Sequence, residues 1–140
     1  MNADVGKLAS NWLAKAENDL KIGQDELRTA QPATDMVCFH LQQCVEKYLK
    51  VYLTLRRKPF RRTHDIAELI ELCRELDPEF EELYGLQADS LTVYAVDIRY
   101  PDDFYLPTPD EAQACLRVAL AGRDFVRARL GQAGLDHPAP

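Results

Sequence analysis

Residues 34–56, TDMVCFHLQQCVEKYLKVYLTLR, decide the fold. Val37, Leu41, Cys44, Tyr48, Tyr52 and Leu55 recur every three or four positions, and Cys38, Val45, Leu49 and Leu53 widen that stripe past half of the helix circumference. A helix apolar over so much of its surface has neighbours on most sides, so this one belongs in the middle of a bundle. His40, Gln43, Glu46, Lys47 and Lys50 fill the remaining arc. Of these, His40, Gln43 and Lys47 fall on one line beside the apolar stripe, where they are expected to face a groove edge.

The flanking sequence supplies the other members of the bundle. Upstream, Ser10 or Asn11 is placed to cap a helix carrying Trp12, Leu13, Ala16, Leu20 and Leu27 on one face, with Lys15, Glu17, Asn18, Asp19 and Lys21 opposite. Gly23 lies on that apolar face, where a missing side chain lets a neighbouring helix come close. Pro32 breaks the pattern, and Thr34 or Asp35 offers the next cap. Downstream, Pro59 ends the central helix inside Arg56-Arg57-Lys58-Pro59-Phe60-Arg61-Arg62, a basic cluster at the negative end of the helix dipole. Such a cluster is either a solvated helix terminus or a patch that holds phosphate or an acidic partner. Thr63 is expected to cap a short third helix with Ile66, Leu69, Ile70, Cys73 and Leu76 inward. Asp77-Pro78 starts a fourth running to Ile98, which Gly85 is expected to kink or divide. Thr108-Pro109-Asp110-Glu111 opens a fifth, with Ala112, Leu116, Ala119, Val126 and Leu130 inward, ended by Gly131 and Gly134.

The fold class expected is all-α: an antiparallel up-and-down helical bundle of four long helices and one short one, forming a single domain over residues 8–131 with flexible tails at 1–7 and 132–140. The net charge of −6 in 140 residues argues against coating nucleic acid or membrane by bulk electrostatics, so any nucleic-acid contact must be local. No apolar run approaches the roughly 20 residues of a membrane span, and Asp4 with its polar neighbours stands where a secretory signal would be apolar. A cytoplasmic protein with no membrane contact is the expectation. Cys38, Cys44, Cys73 and Cys115 lack C-x-x-C spacing and lie on or near apolar stripes, which fits small buried hydrophobes. His40 and His64 come without a carboxylate or thiolate at ligand spacing, and no glycine-rich phosphate loop is present, so neither metal nor cofactor is expected.

Four pieces in order make the reading more specific: Trp12-Leu13 with Ala16 and Asp19-Leu20; His40-x-x-Gln43-x-x-Glu46-Lys47-x-x-Lys50; Thr63-His64-Asp65-Ile66 opening a helix; and Arg99-Tyr100-Pro101-Asp102. Together, from about residue 8 to residue 130, they resemble the HEPN family, the "higher eukaryotes and prokaryotes nucleotide-binding" helical domain. The resemblance implies a small helical bundle, a homodimer, and a minimal nucleotidyltransferase partner in a two-component, toxin–antitoxin-like system. Some family members are metal-independent ribonucleases with Arg, four to six residues, then His; others lack the motif and are suspected of binding nucleotides or nucleic acid. This chain is more similar to the second kind.

The candidate sites follow. Arg57, six residues, then His64 satisfies the loose ribonuclease pattern, in which a neutral His64 takes a 2′-hydroxyl proton and Arg57 steadies phosphate charge; the alternative is a His64 that only caps or hydrogen-bonds. For nucleotide or RNA phosphate, Arg99 offers a guanidinium beside the stackable ring of Tyr100, with Asp102 near enough to make Arg99 a structural ion pair instead. His40, Gln43 and Lys47 either line that same crevice or form a polar network between helices. A non-catalytic dimeric scaffold that engages another protein is the third possibility.

Overall fold

The computed structural model describes residues 3–96 and 105–134, and among these every regular element is helical. Helix α1 spans Ala3–Leu27, α2 Thr34–Leu55, α3 Ile66–Leu76 and α6 Pro109–Leu130, with the one-turn helices α4 (Glu82–Gly85) and α5 (Val93–Val96) between α3 and α6. Helix α2 buries 16 of its 22 residues, which is possible because α1, α6, α3 and α5 pack on it. The central position read from its wide apolar stripe is the one it occupies. Among the described residues no helix is long and apolar enough to cross a membrane.

Several details differ from the sequence reading. Helix α1 starts at Ala3, not near Ser10, so residues 3–7 are helical and not a tail. Asp4 in the first turn suits the positive end of the dipole, and Ala9 is fully buried, which extends the packed face upstream. Neither Thr34 nor Asp35 is the residue preceding α2; Ala33 is, and the Thr34 hydroxyl instead donates to the Pro107 carbonyl at 2.6 Å, tying the start of α2 to the approach of α6. For α3 the cap is Asp65, whose carboxylate accepts from Glu68 N, while Thr63 Oγ1 accepts from Asp65 N one step earlier. Thr108 caps α6 as read, accepting from Glu111 N at 3.1 Å.

The expected fourth helix is divided at the glycine the sequence marked, α4 ending at Gly85. Pro78–Glu81 and Ala88–Thr92 are 3₁₀ turns flanking α4, and Gln87 takes a left-handed φ of 63°. The core dictates this break: Phe80, Leu83, Ala88 and Leu91 are all buried, yet Leu83 and Ala88 are five residues apart, which on a continuous helix would turn them roughly 140° from each other. The kink re-aims Ala88 and Leu91 inward. Phe80 then stacks against Tyr52 and edge-on to Phe125, with ring centroids 4.6 and 5.2 Å away. Tyr94 and Tyr105 both donate to the Glu111 carboxylate, so the ends of the described chain on either side of residues 97–104 meet at the start of α6. All four cysteines are buried and free, and burial pushes the thiols of Cys44 and Cys73 well above their ordinary range.

Candidate functional site

Helix α2 ends in a turn that its own backbone defines. Lys58 N donates to Leu53 O and Arg57 N to Thr54 O, the paired closure of a Schellman motif, with Arg57 in the left-handed position (φ 56°) where glycine is the usual occupant. The chain then folds back through Pro59 and Phe60 so that Thr63 and His64 come to rest beside the preceding two turns of α2.

There the polar arc of α2 becomes a network. Nδ1 of His64 donates to Glu46 Oε1 at 2.9 Å, and Lys50 Nζ bonds the other oxygen, Oε2, at 2.8 Å. Gln42 Nε2 donates to the His64 carbonyl (3.0 Å) and to Glu46 Oε1 (3.2 Å), and Gln43 Nε2 to Gln42 Oε1 (2.7 Å). Glu46, Lys50, Gln42 and Gln43 are buried, whereas the His64 side chain is 48% exposed. With Nδ1 committed to a carboxylate, Nε2 is the ring atom left for other contacts.

His64 opens onto a cleft of about 520 Å³ lined by Trp12, Lys50, Phe60, Arg62, Thr63 and His64. Trp12 and Phe60 stand 6.4 Å apart with their rings inclined at 58°, and Lys50 Nζ lies 5.2 Å from the Trp12 ring centroid. A second hollow of about 460 Å³, lined by Val5, Leu8, Leu53, Arg57 and Lys58 among others, shares Trp12 and Phe60 with the first. Arg57 and His64, the pair matching the ribonuclease spacing, therefore face different hollows. The arginine that shares the His64 cleft is Arg62.

The line of His40, Gln43 and Lys47 separates into two groups. His40 Nδ1 and Lys47 Nζ both reach Asp19 of α1, at 2.8 and 2.5 Å, across the α1–α2 interface. Gln43 turns the other way, toward Glu46. None of the three lines either hollow. Arg99, Tyr100 and Asp102 lie outside the described residues, so the crevice they were expected to share with this line is not described. Among the described residues no group of three His, Cys, Asp or Glu side chains is arranged to hold a metal ion.

Sequence reasoning missed Trp12 as a site residue, since periodicity assigns it to the core of α1, and left Glu46 and Lys50 on the polar arc without a role. One signal was available: Glu46 and Lys50 are four apart on the face where a loop carrying His64 must return, and a paired Glu–Lys tolerates burial where neither alone would.

A family model described as the HEPN domain matches residues 9–128. A Methanocaldococcus jannaschii protein bearing the name "Putative toxin" is 29% identical over 143 residues, covering 89% of this chain and 92% of that protein. The crystal structure of an archaeal HEPN homologue is similar with a TM-score of 0.66 and 25% identity, over 89% of this chain and 97% of that one.

Proposed function

The chain belongs to the HEPN family, and from that premise we propose that it binds a nucleotide or RNA phosphate in the cleft between Trp12 and His64, working as a homodimer beside a minimal nucleotidyltransferase in a two-component, toxin–antitoxin-like system of the cytoplasm. One observation carries the ligand: an exposed imidazole, fixed through Nδ1 by a buried carboxylate, shares an aromatic-walled cleft with Arg62, whose guanidinium has no hydrogen-bond or ion-pair partner among the described residues. Arg62 is a donor suited to phosphate oxygens, Nε2 of the neutral His64 ring can accept from a ribose hydroxyl, and the apolar ring surfaces suit a base. The name of the methanococcal relative supports a toxin-like setting, and the nucleotidyltransferase comes from the family resemblance. Bound ATP at millimolar concentration raises the melting temperature by mass action on the folded state, and Arg62→Ala removes the gain. An unchanged melting temperature with every nucleotide tried would end this reading. Co-expression with the protein encoded by the adjacent gene tests the pairing: a nucleotidyltransferase that co-purifies supports it.

The Glu46–His64 bond favours a second reading, a metal-independent endoribonuclease. A base held by a carboxylate at Nδ1 can take the 2′-hydroxyl proton at Nε2 as the 2′-oxygen attacks phosphorus and the 5′-oxygen leaves, producing a 2′,3′-cyclic phosphate. Arg62 in the same cleft would steady the phosphorane charge. RNA cleavage that persists in EDTA and vanishes in His64→Ala separates this reading from binding alone.

A further inference from the structure

Helix α6 buries a face of small residues, Ala112, Cys115, Ala119 and Gly122, in its packing on α2. At Gly122 an added β-carbon would lie 3.7 Å from Val45 Cγ2, so the α6 backbone comes up directly against the side chains of α2. One heptad earlier on both helices stand Cys115 and Cys38, in the same register. Cys38 is fully enclosed and Cys115 is 5% exposed, and the Cys38 thiol donates to the Cys115 sulfur. The Tyr94 hydroxyl, bonded to Glu111 one turn before Cys115, also lies within hydrogen-bonding reach of that sulfur. The hydrogen bonds from Cys38 and Tyr94 hold the Cys115 thiol below its ordinary range against the effect of burial, and Cys38, as the donor, is held above it. Cys44 and Cys73 have no thiol beside them: near the first are Glu17 and Asp19, and near the second is Asp77.

We propose that Cys38 and Cys115 are a peroxide-sensitive thiol pair, oxidised to a disulfide that clamps α2 to α6. A disulfide needs Cα atoms no more than about 7 Å apart, and the small-residue face of α6 brings the two helices close enough for that. Cys115 is the thiol that meets the oxidant, since it alone of the two keeps contact with solvent and holds its negative charge more readily. Its sulfur attacks one oxygen of hydrogen peroxide and the O–O bond breaks. Hydroxide leaves, takes up the proton given up by Cys115 and becomes water, and Cys115 becomes a sulfenic acid. The Cys38 sulfur then attacks the Cys115 sulfur, the S–O bond breaks, and the departing hydroxide takes the Cys38 proton as a second water. Two thiols are oxidised and one peroxide is reduced to two waters. The bridge locks the corner where Thr34 meets Pro107 and where Tyr94 and Tyr105 meet Glu111. In a reducing compartment such a bond is transient and follows the oxidant.

The test treats the reduced full-length protein with hydrogen peroxide, counts thiols in guanidinium with dithiobisnitrobenzoate, and maps the bridge by mass spectrometry of a digest. The count falls from four to two, the mass falls by the two hydrogens lost, and the digest joins the peptides of Cys38 and Cys115. The melting temperature rises by roughly 5 °C or more, because the bridge closes a long loop of the unfolded chain. Dithiothreitol restores all four thiols and the original melting temperature. Cys38→Ala stops at the sulfenic acid of Cys115, which dimedone traps, and the double variant Cys44→Ala, Cys73→Ala still loses two thiols. The digest of the unaltered protein decides the matter even where a variant does not fold. A count that stays at four, a bridge through Cys44 or Cys73, a bridge between two chains, or oxygen added to Cys115 with no bridge overturns the proposal.

Discussion

Nδ1 of His64 lies 2.9 Å from Oε1 of Glu46, which joins an imidazole at the mouth of the cleft to a carboxylate whose side chain is only 3% exposed. The two ends of this bond carry different loads. Glu46 also neutralises Lys50, itself 8% exposed, so removing the carboxylate strands a buried cation. Glu46→Ala is expected to cost roughly 3–5 kcal/mol in urea unfolding, and His64→Ala only about 1 kcal/mol, the net value of one hydrogen bond at an exposed site. Both lose cleft affinity, the first by displacing the imidazole and the second by deleting it. If the two variants unfold at the same urea concentration, Glu46 is not the hub of the network.

Asp19 gives the opposite pairing of stability and binding. It holds His40 and Lys47 across the α1–α2 interface, away from both hollows. Asp19→Ala is expected to destabilise by about 2 kcal/mol, less than the full cost of a buried unpaired charge because the His40 and Lys47 side chains keep some access to water. Nucleotide affinity of the surviving folded protein should stay within twofold of the original. A larger loss of affinity would return His40 and Lys47 to the site.

That contrast shows where the sequence was readable. The wide stripe of α2, the Thr108 start of α6 and the end of α2 before Pro59 are set by neighbours within a turn or two, and each stands where periodicity and capping put it. Gly85 marked locally where the fourth segment breaks, but the angles its pieces take and the fate of the polar arc depend on distant partners. Nothing local to Ala88 reveals that it must share a core with Phe80, and nothing near Lys47 reveals Asp19, 28 residues earlier. The basic loop is an intermediate case: its composition announced a cluster, but which cations find a partner was decided by Tyr52, Glu68 and Glu75.

Arg57 presents a backbone cost that can be measured. An L-residue at φ 56° is disfavoured by roughly 1–2 kcal/mol relative to glycine, and glycine's greater freedom in the unfolded chain takes back part of that. Arg57→Gly should therefore raise the urea midpoint by the equivalent of about 0.5–1 kcal/mol. A drop in the midpoint would mean that the Arg57 side chain contributes to the fold more than its backbone costs.

Two helical glycines should answer differently to the same change. In both, alanine gains up to about 1 kcal/mol of helix propensity. At Gly122 the added methyl would sit 3.7 Å from Val45 Cγ2, an ordinary contact, so Gly122→Ala is expected to stabilise. At Gly23 it would meet Leu41 Cδ2 at 3.0 Å and Cγ at 3.2 Å, with the Val37 carbonyl behind at 3.5 Å. Leu41 is fully buried on the central helix and has little room to yield, so overpacking of about 1–3 kcal/mol outweighs the propensity gain. Gly23→Ala should melt below the original protein and Gly122→Ala above it. The reverse order would show that the α1–α2 contact is looser than this packing requires.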